Sequence, residues 1–294
     1  MKNSPLAVLG LLAVTISWGA TFVLLKPAIE SQPFYDFLAT RFTIAVIVMI
    51  LVRPSMFKKL DKDLLIKGTV LGVILALGYV TQTIALEITT AAITGFLTGL
   101  YAVLTPLIGW VLFREKISKK VLWGGILATI GLGLISINGF GIGIGEIWGI
   151  VCAVLYAAHI VGLGAWASSK DTYAFTVVQL AVVAIVSWVG ALPDGFQAPE
   201  NWDVWFAILF SAVFATALGF LVQTWAQSHM EPSRVALILT LEVVFAALFA
   251  VWSGQEVLSL RTVLGGALMV AAMLLVEWPT KAKPVPLPQG TYHQ

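Results

Sequence analysis

The chain is a succession of apolar runs, each of about 18–22 residues, separated by short charged segments. Runs of that length match the hydrocarbon core of a bilayer crossed by an α-helix, and they exclude most soluble folds. Composition agrees. The 294 residues are 59% hydrophobic and only 11% charged, where a soluble domain carries about 25% charged residues. Mean hydropathy is +0.96. A membrane β-barrel requires short alternating segments, and none occurs. The expectation is an all-α polytopic membrane protein.

Ten spans are predicted: 5–27, 34–52, 66–87, 90–113, 120–138, 146–168, 172–192, 203–227, 233–253 and 259–278. With the N-terminus inside, the cytoplasmic segments hold about 14 of the 17 Lys and Arg, which obeys the positive-inside rule. Both termini are then cytoplasmic, and the site of residence is the inner (plasma) membrane. The first run has no small-residue cleavage site before Trp18 and reads as a retained helix. The Pro-rich tail 279–294 is expected to be disordered. The lone Cys152 excludes a disulfide framework and a cysteine metal site.

The chain also repeats itself. A shift of 141 residues lays ALGYVTQTIAL (76–86) on ALGFLVQTWAQ (217–227) without gaps, and sets Glu115 on Glu256 and Gly124-Gly125 on Gly265-Gly266. A shift of 138 sets Trp18 on Tyr156 and Thr21 on His159. Each half holds five spans. Because five is odd, the second copy inserts upside down, and transporters of that architecture bind substrate near the midplane between their halves.

The stretch SWGATFVLLKPAIESQPFYDFLATRF resembles the opening of the EamA-type repeat of the drug/metabolite transporter superfamily, with Trp18-Gly19, Lys26-Pro27 and Arg41 in place. LEVVFAALFAVWSGQEVLSLRTVLGGALMVAAMLL resembles its closing half, with Glu242, Gly254-x-Glu256 and Gly265-Gly266. The resemblance covers about residues 5–278. It implies a ten-helix fold of two inverted repeats, 1–138 and 146–278, in the branch that includes YddG-like amino-acid exporters. The second half departs from the pattern with Tyr156-Ala157 and Gln179 where the first has Trp18-Gly19 and Arg41.

Candidate cavity residues follow from polar groups at membrane depth. Thr94, Thr98, Tyr101 and Thr105 fall on one helical stripe, beside a small-xxx-small pair, Gly95 and Gly99. The stripe faces protein or a wet cavity, or each threonine bonds its own helix. Tyr79, Gln82 and Thr83 share a face, as do their mates Phe220, Gln223 and Thr224. The glutamines line a cavity or act as interhelical bonds worth about 0.6–2 kcal/mol each. Trp18 is too deep for an interfacial anchor and is either a core packer or a cavity wall. His159, with Tyr156 on the same helix, is either a satisfied core residue or the seat of a proton-linked step. Arg41, five residues from Asp36, is read as structural, pairing with a carboxylate or with helix carbonyls. Glu242 is the most demanding residue. A charge at mid-helix costs about 2.5–3.5 kcal/mol, so it is protonated, paired or hydrated in a cavity.

By resemblance the chain exports small metabolites, amino acids first, by alternating access. Aromatic lining suits apolar side chains and also drug-like organic cations, so a multidrug exporter is the alternative. No mid-membrane Lys/Arg cluster favours nucleotide sugars. An intramembrane enzyme needs a convergent nucleophile–base or metal set, and no H-E-x-x-H or similar motif occurs. A non-transporting scaffold needs no midplane polar residues. The expected partners are a small-molecule substrate and the lipid bilayer, with no cofactor, no metal, no nucleic acid and a monomeric state.

Overall fold

The computed structural model describes residues 4–89, 91–114, 117–136, 143–193, 195–254 and 257–278. The tail 279–294 and the matched pair Glu115 and Glu256 lie outside the described residues. Among those described, the fold is helical and contains no strand. The helices are α1 (Ser4–Ser31), α2 (Phe34–Val52), α3 (Lys62–Ile88), α4 (Ala91–Gly99), α5 (Tyr101–Phe113), α6 (Lys119–Ser136), α7 (Ile144–Trp166), α8 (Thr172–Ala191), α9 (Trp202–Phe210), α10 (Gly219–Gln227), α11 (Pro232–Leu239), α12 (Leu241–Trp252) and α13 (Leu260–Glu277). A π-helical stretch, Ser211–Leu218, joins α9 to α10. Seven described helices are long and apolar enough to cross a membrane, and Leu97–Phe113 and Leu260–Val276 are shorter apolar segments.

The outward faces confirm the solvent. Trp110, Trp123, Ile185, Val189 and Trp252 are all more than half exposed. An apolar belt of that extent is untenable in water and natural in hydrocarbon.

Inside, α3 packs on α7 and α8, α2 on α8, α1 on α12 and α10, and α6 on α13. Backbones approach closely where α1 meets α12. A Cβ on Gly19 would stand 2.6 Å from the Phe245 Cβ and 2.8 Å from the Ala246 nitrogen. The Trp18-Gly19 motif is therefore half structural: the glycine admits α12, and the tryptophan beside it is left to point elsewhere. Gly99 likewise faces Leu132 at close range, whereas Gly95 has open space around it, so only one member of that small-residue pair serves a tight contact.

Two polar clusters hold the ends of the bundle. At one end Asp61 caps α3 by accepting from the Leu64 N–H at 2.7 Å, and Asp171 caps α8 by accepting from Ala174 at 3.0 Å. Arg53, at the end of α2, bonds both oxygens of Asp171 at 3.2 and 3.1 Å, while Lys170 pairs with Asp61 and Asp63. At the other end the Gln197 N–H donates to Asp36 at 2.9 Å and Gln32 Nε2 donates to the Gln197 carbonyl at 2.8 Å. These long-range bonds tie the turn after α1 to the 192–201 loop. Asp36 is thus committed to that loop, and the expected carboxylate or helix-carbonyl partner of Arg41 is replaced by the Thr216 hydroxyl.

Three predicted spans are not continuous α-helix. The fourth breaks at Leu100 and the ninth at Thr240, which lie between α4 and α5 and between α11 and α12. The eighth passes through the π stretch.

Candidate functional site

Residues of α1, α2, α3, α7 and α10 and of the interrupted fourth and ninth spans surround a cavity of about 580 Å³. Trp18, Tyr79, Gln82, Thr94, Tyr101, Tyr156, His159, Gln223 and Glu242 all line it. Of the predicted set, Thr98 alone does not. It is buried with its Oγ1 3.8 Å from Cys152 Sγ of α7. Leu100, between α4 and α5, keeps right-handed helical backbone (φ −60°, ψ −14°), so the stripe persists, but its Thr98 meets α7 rather than the cavity. Thr105 is buried and donates to the Tyr101 carbonyl at 2.7 Å, the local bond that the bland reading of such threonines expects. Thr224 does the same with Phe220 at 2.7 Å.

Aromatic rings form one wall. Tyr79 stands at its centre, edge-on to Phe42 (centroids 5.0 Å apart) and Tyr156 (5.9 Å), with Phe220 at 6.3 Å. Trp18 lies 5.6 Å from Phe220. Two polar tips on this wall have partners. The Tyr156 hydroxyl donates to Gln82 Oε1 at 3.1 Å, and His159 Nε2 bonds Gln179 Oε1 at 2.8 Å. Gln179, the repeat mate of Arg41, thus holds His159 in place from the next helix.

Trp18 Nε1 donates to the Ala215 carbonyl at 2.7 Å. Ala215 belongs to the π stretch, where widened turns leave carbonyls free to take outside donors. Arg41 reaches the same stretch: its Nε donates to Thr216 Oγ1 at 2.7 Å. The guanidinium lies 5.7 Å from the Tyr79 ring centre and 5.5 Å from that of Phe42, within cation–π range. Arg41 lines the cavity. Sequence reasoning missed this, because no residue in SAVFATAL announces a π turn.

The opposite wall carries the least satisfied groups. Glu242, 9% exposed, lines the cavity one residue past the start of α12 and forms no ion pair among the described residues. Elsewhere in the lining, the Tyr101 hydroxyl and Gln223 Oε1 are buried and have no hydrogen-bond partner among the described residues. Buried polar groups are normally paired, so these groups are available to a bound molecule. Tyr101 is the first residue of α5 and Glu242 the second of α12, so both sit next to a helix interruption.

The cavity has a mouth. Its lining runs up the last turns of α1 (Leu25, Ile29), the first of α2 (Phe34) and the end of α3, where Glu87 is exposed. The other end is shut by a packed cluster that includes Ala7, Leu11, Val235, Leu237 and Ile238. No group of residues able to hold a metal ion occurs among those described.

Comparison with known proteins fits this architecture. A solved crystal structure superposes with a TM-score of 0.79 at 17% identity, covering 92% of this chain and 96% of the other, which establishes the fold. An uncharacterized transporter from Archaeoglobus fulgidus is 33% identical over 271 residues, 92% of this chain and 85% of its own. The uncharacterized transporter YvbV from Bacillus subtilis is 27% identical over 96% of each chain. The EamA-like transporter family matches twice, over residues 5–137 and 143–278. Nearly the whole chain is covered by those two matches, and the protein is a multi-pass membrane transporter that belongs to the EamA-like family of the drug/metabolite transporter superfamily.

Proposed function

We propose that the protein exports small amino acids with apolar side chains through the central cavity by alternating access. The observation that carries this reading is the lining itself: aromatic walls for an apolar side chain, with one unpaired carboxylate, Glu242, to meet an ammonium group.

The ten-span, two-repeat architecture belongs to this proposal. It is supported by the paired matches to the family at 5–137 and 143–278 and by the helix breaks. A shift of 141 carries Leu100, the first break, onto Leu241, within one residue of the second at Thr240. With the N-terminus in the cytoplasm of a cell whose inner membrane holds the protein, the open mouth faces outward and the packed cluster closes the inner side. Export then requires that cluster to part while the mouth closes.

Transport into proteoliposomes tests the reading. Purified protein should exchange radiolabelled L-leucine or L-phenylalanine and should leave ethidium unmoved. Movement of the dye without exchange of either amino acid would establish the organic-cation alternative, for which Glu242 and the aromatic wall are equally apt.

A further inference from the structure

We infer that Arg41 is the carboxylate receptor of the cavity: clamped through Nε by Thr216 of the π stretch, it offers its two terminal amino groups to a substrate monocarboxylate. The inference rests on the proposed reading of this cavity as the transport path.

Among the described residues no carboxylate neutralises the charge of Arg41. Arg41 is 4% exposed, and a guanidinium stays protonated in any protein environment. Asp36, five residues away, is bonded to the Gln197 N–H instead. Glu242 and Glu87 line the same cavity, yet neither forms an ion pair with Arg41. The contacts Arg41 does make are with neutral groups: the Thr216 hydroxyl and the faces of Phe42 and Tyr79. An isolated buried cation is costly unless a partner arrives, and here the partner is absent from the described residues.

The clamp decides which edge of the fork is left. Nε is taken by Thr216, so the side-on mode of carboxylate binding, through Nε and one terminal nitrogen, is blocked. The end-on mode through both terminal nitrogens is open. Those nitrogens have no protein acceptor among the described residues, and the residue lines the cavity. A planar fork with fixed orientation matches the two oxygens of a carboxylate, and the stacked rings hold its plane. The Thr216 hydroxyl oxygen is the acceptor in this bond and fixes the fork from the π stretch. The second half offers no equivalent, since Gln179 stands at the matching position and is occupied with His159. The cavity therefore has one anion pole and, at Glu242, one cation pole on a different helix, an arrangement suited to a zwitterion.

The test uses full-length protein in lipid nanodiscs and three matched probes: L-leucine, 4-methylpentanoate, which lacks the amino group, and 3-methylbutylamine, which lacks the carboxylate. Wild type should bind leucine and 4-methylpentanoate saturably. Arg41→Gln should weaken both by about 10- to 150-fold, the effect of losing a charged hydrogen bond, and leave 3-methylbutylamine unchanged. Thr216→Val, which frees Nε without removing the charge, should give a smaller loss for the same two probes. Equal binding of leucine and the acid to wild type and Arg41→Gln overturns the inference. So does a wild type that binds the amine but neither carboxylate, a readout that stands even where Arg41→Gln does not fold. If the acid binds as tightly as leucine and both depend on Arg41, the carboxylate receptor stands and the amino-acid reading of the transporter falls.

Discussion

The indole nitrogen of Trp18 donates to the backbone carbonyl of Ala215 across 2.7 Å, joining the first helix to a π-helical stretch nearly two hundred residues later. Trp18→Phe keeps the ring and removes the donor, leaving a carbonyl unpaired at membrane depth. Stability in detergent should fall by about 1–3 kcal/mol, read as an earlier denaturant midpoint, and exchange of amino acid in proteoliposomes should slow. A variant matching wild type in both would mean that the bond holds nothing in place.

Gly19 gives a sharper steric expectation. Gly19→Ala places a methyl against the Phe245 Cβ and the Ala246 nitrogen, where backbone has to move. The cost should be about 1–3 kcal/mol, as for other overpacked contacts. Gly95→Ala, with nothing near its Cβ, should unfold as wild type does. Thermal unfolding of the two variants side by side separates the cases.

Tyr101→Phe removes a buried hydroxyl that has no protein partner. Folding stability should stay the same or rise slightly, because a desolvated hydroxyl without a bond is a penalty to the native state. Transport should nevertheless decline if that hydroxyl serves the cargo. Loss of stability with unchanged transport would return Tyr101 to the core.

Glu242→Gln preserves shape and removes charge. Affinity for leucine should weaken by about 1.5–3 kcal/mol, with the melting temperature held. Retained affinity combined with loss of the pH dependence of transport would make Glu242 a proton carrier. Wild-type affinity, rate and pH profile together would make it a structural donor and leave His159 as the ionisable candidate.

The polar end near α3 carries a pH expectation. The Leu64 N–H, with Lys170 beside it, holds the Asp61 carboxyl below its ordinary range. A carboxylate whose folded pKa is depressed adds stability at pH above its unfolded value, and that contribution disappears as pH falls through the folded one. Asp61→Asn should therefore lower stability at neutral pH and flatten its decline between about pH 5 and 2. Acid titration followed by intrinsic fluorescence measures the difference.

Topology is tested by labelling. Cysteines introduced at Lys58, Lys119 and Ser233 should be shielded from an impermeant thiol reagent in intact cells, and one at Gln197 should react. Gln197 and Lys58 are exposed at opposite ends of the bundle, so they report opposite sides. Reaction at Lys119 from outside would overturn the orientation and the inverted repeat together.

Helix positions were legible because the bilayer imposes their length. The second span, 34–52, coincides with α2, and the others lie within a few residues of the observed helices. The cavity residues were legible for the same reason, since a polar group in an apolar run has few places to face. What escaped was the interior of the spans. Leu100, Thr240 and Ser211–Leu218 interrupt regular α-helix without a proline or a charge to mark the change. The partner of Arg41 escaped because local spacing cannot reveal a bond to Thr216, 175 residues along the chain. Thr98 meets Cys152 of α7 instead of the cavity, because spacing along a stripe does not say which neighbour each member of it faces.

The π stretch also sets the phase of everything after it. A π turn accommodates one residue more than an α turn does, so it behaves as a one-residue insertion stored within a helix. Deleting a single residue between Ser211 and Leu218 would remove the stored insertion, let the segment relax to ordinary α-helix and leave α10 close to its present rotation about its axis. Phe220 and Gln223 would keep their place in the cavity lining, while the bonds from Trp18 and Arg41 to this stretch would have to re-form on a regular helix. A lineage that loses that residue keeps its hydropathy profile, its topology and its aromatic wall, and loses the two anchors that tie the first two helices to it.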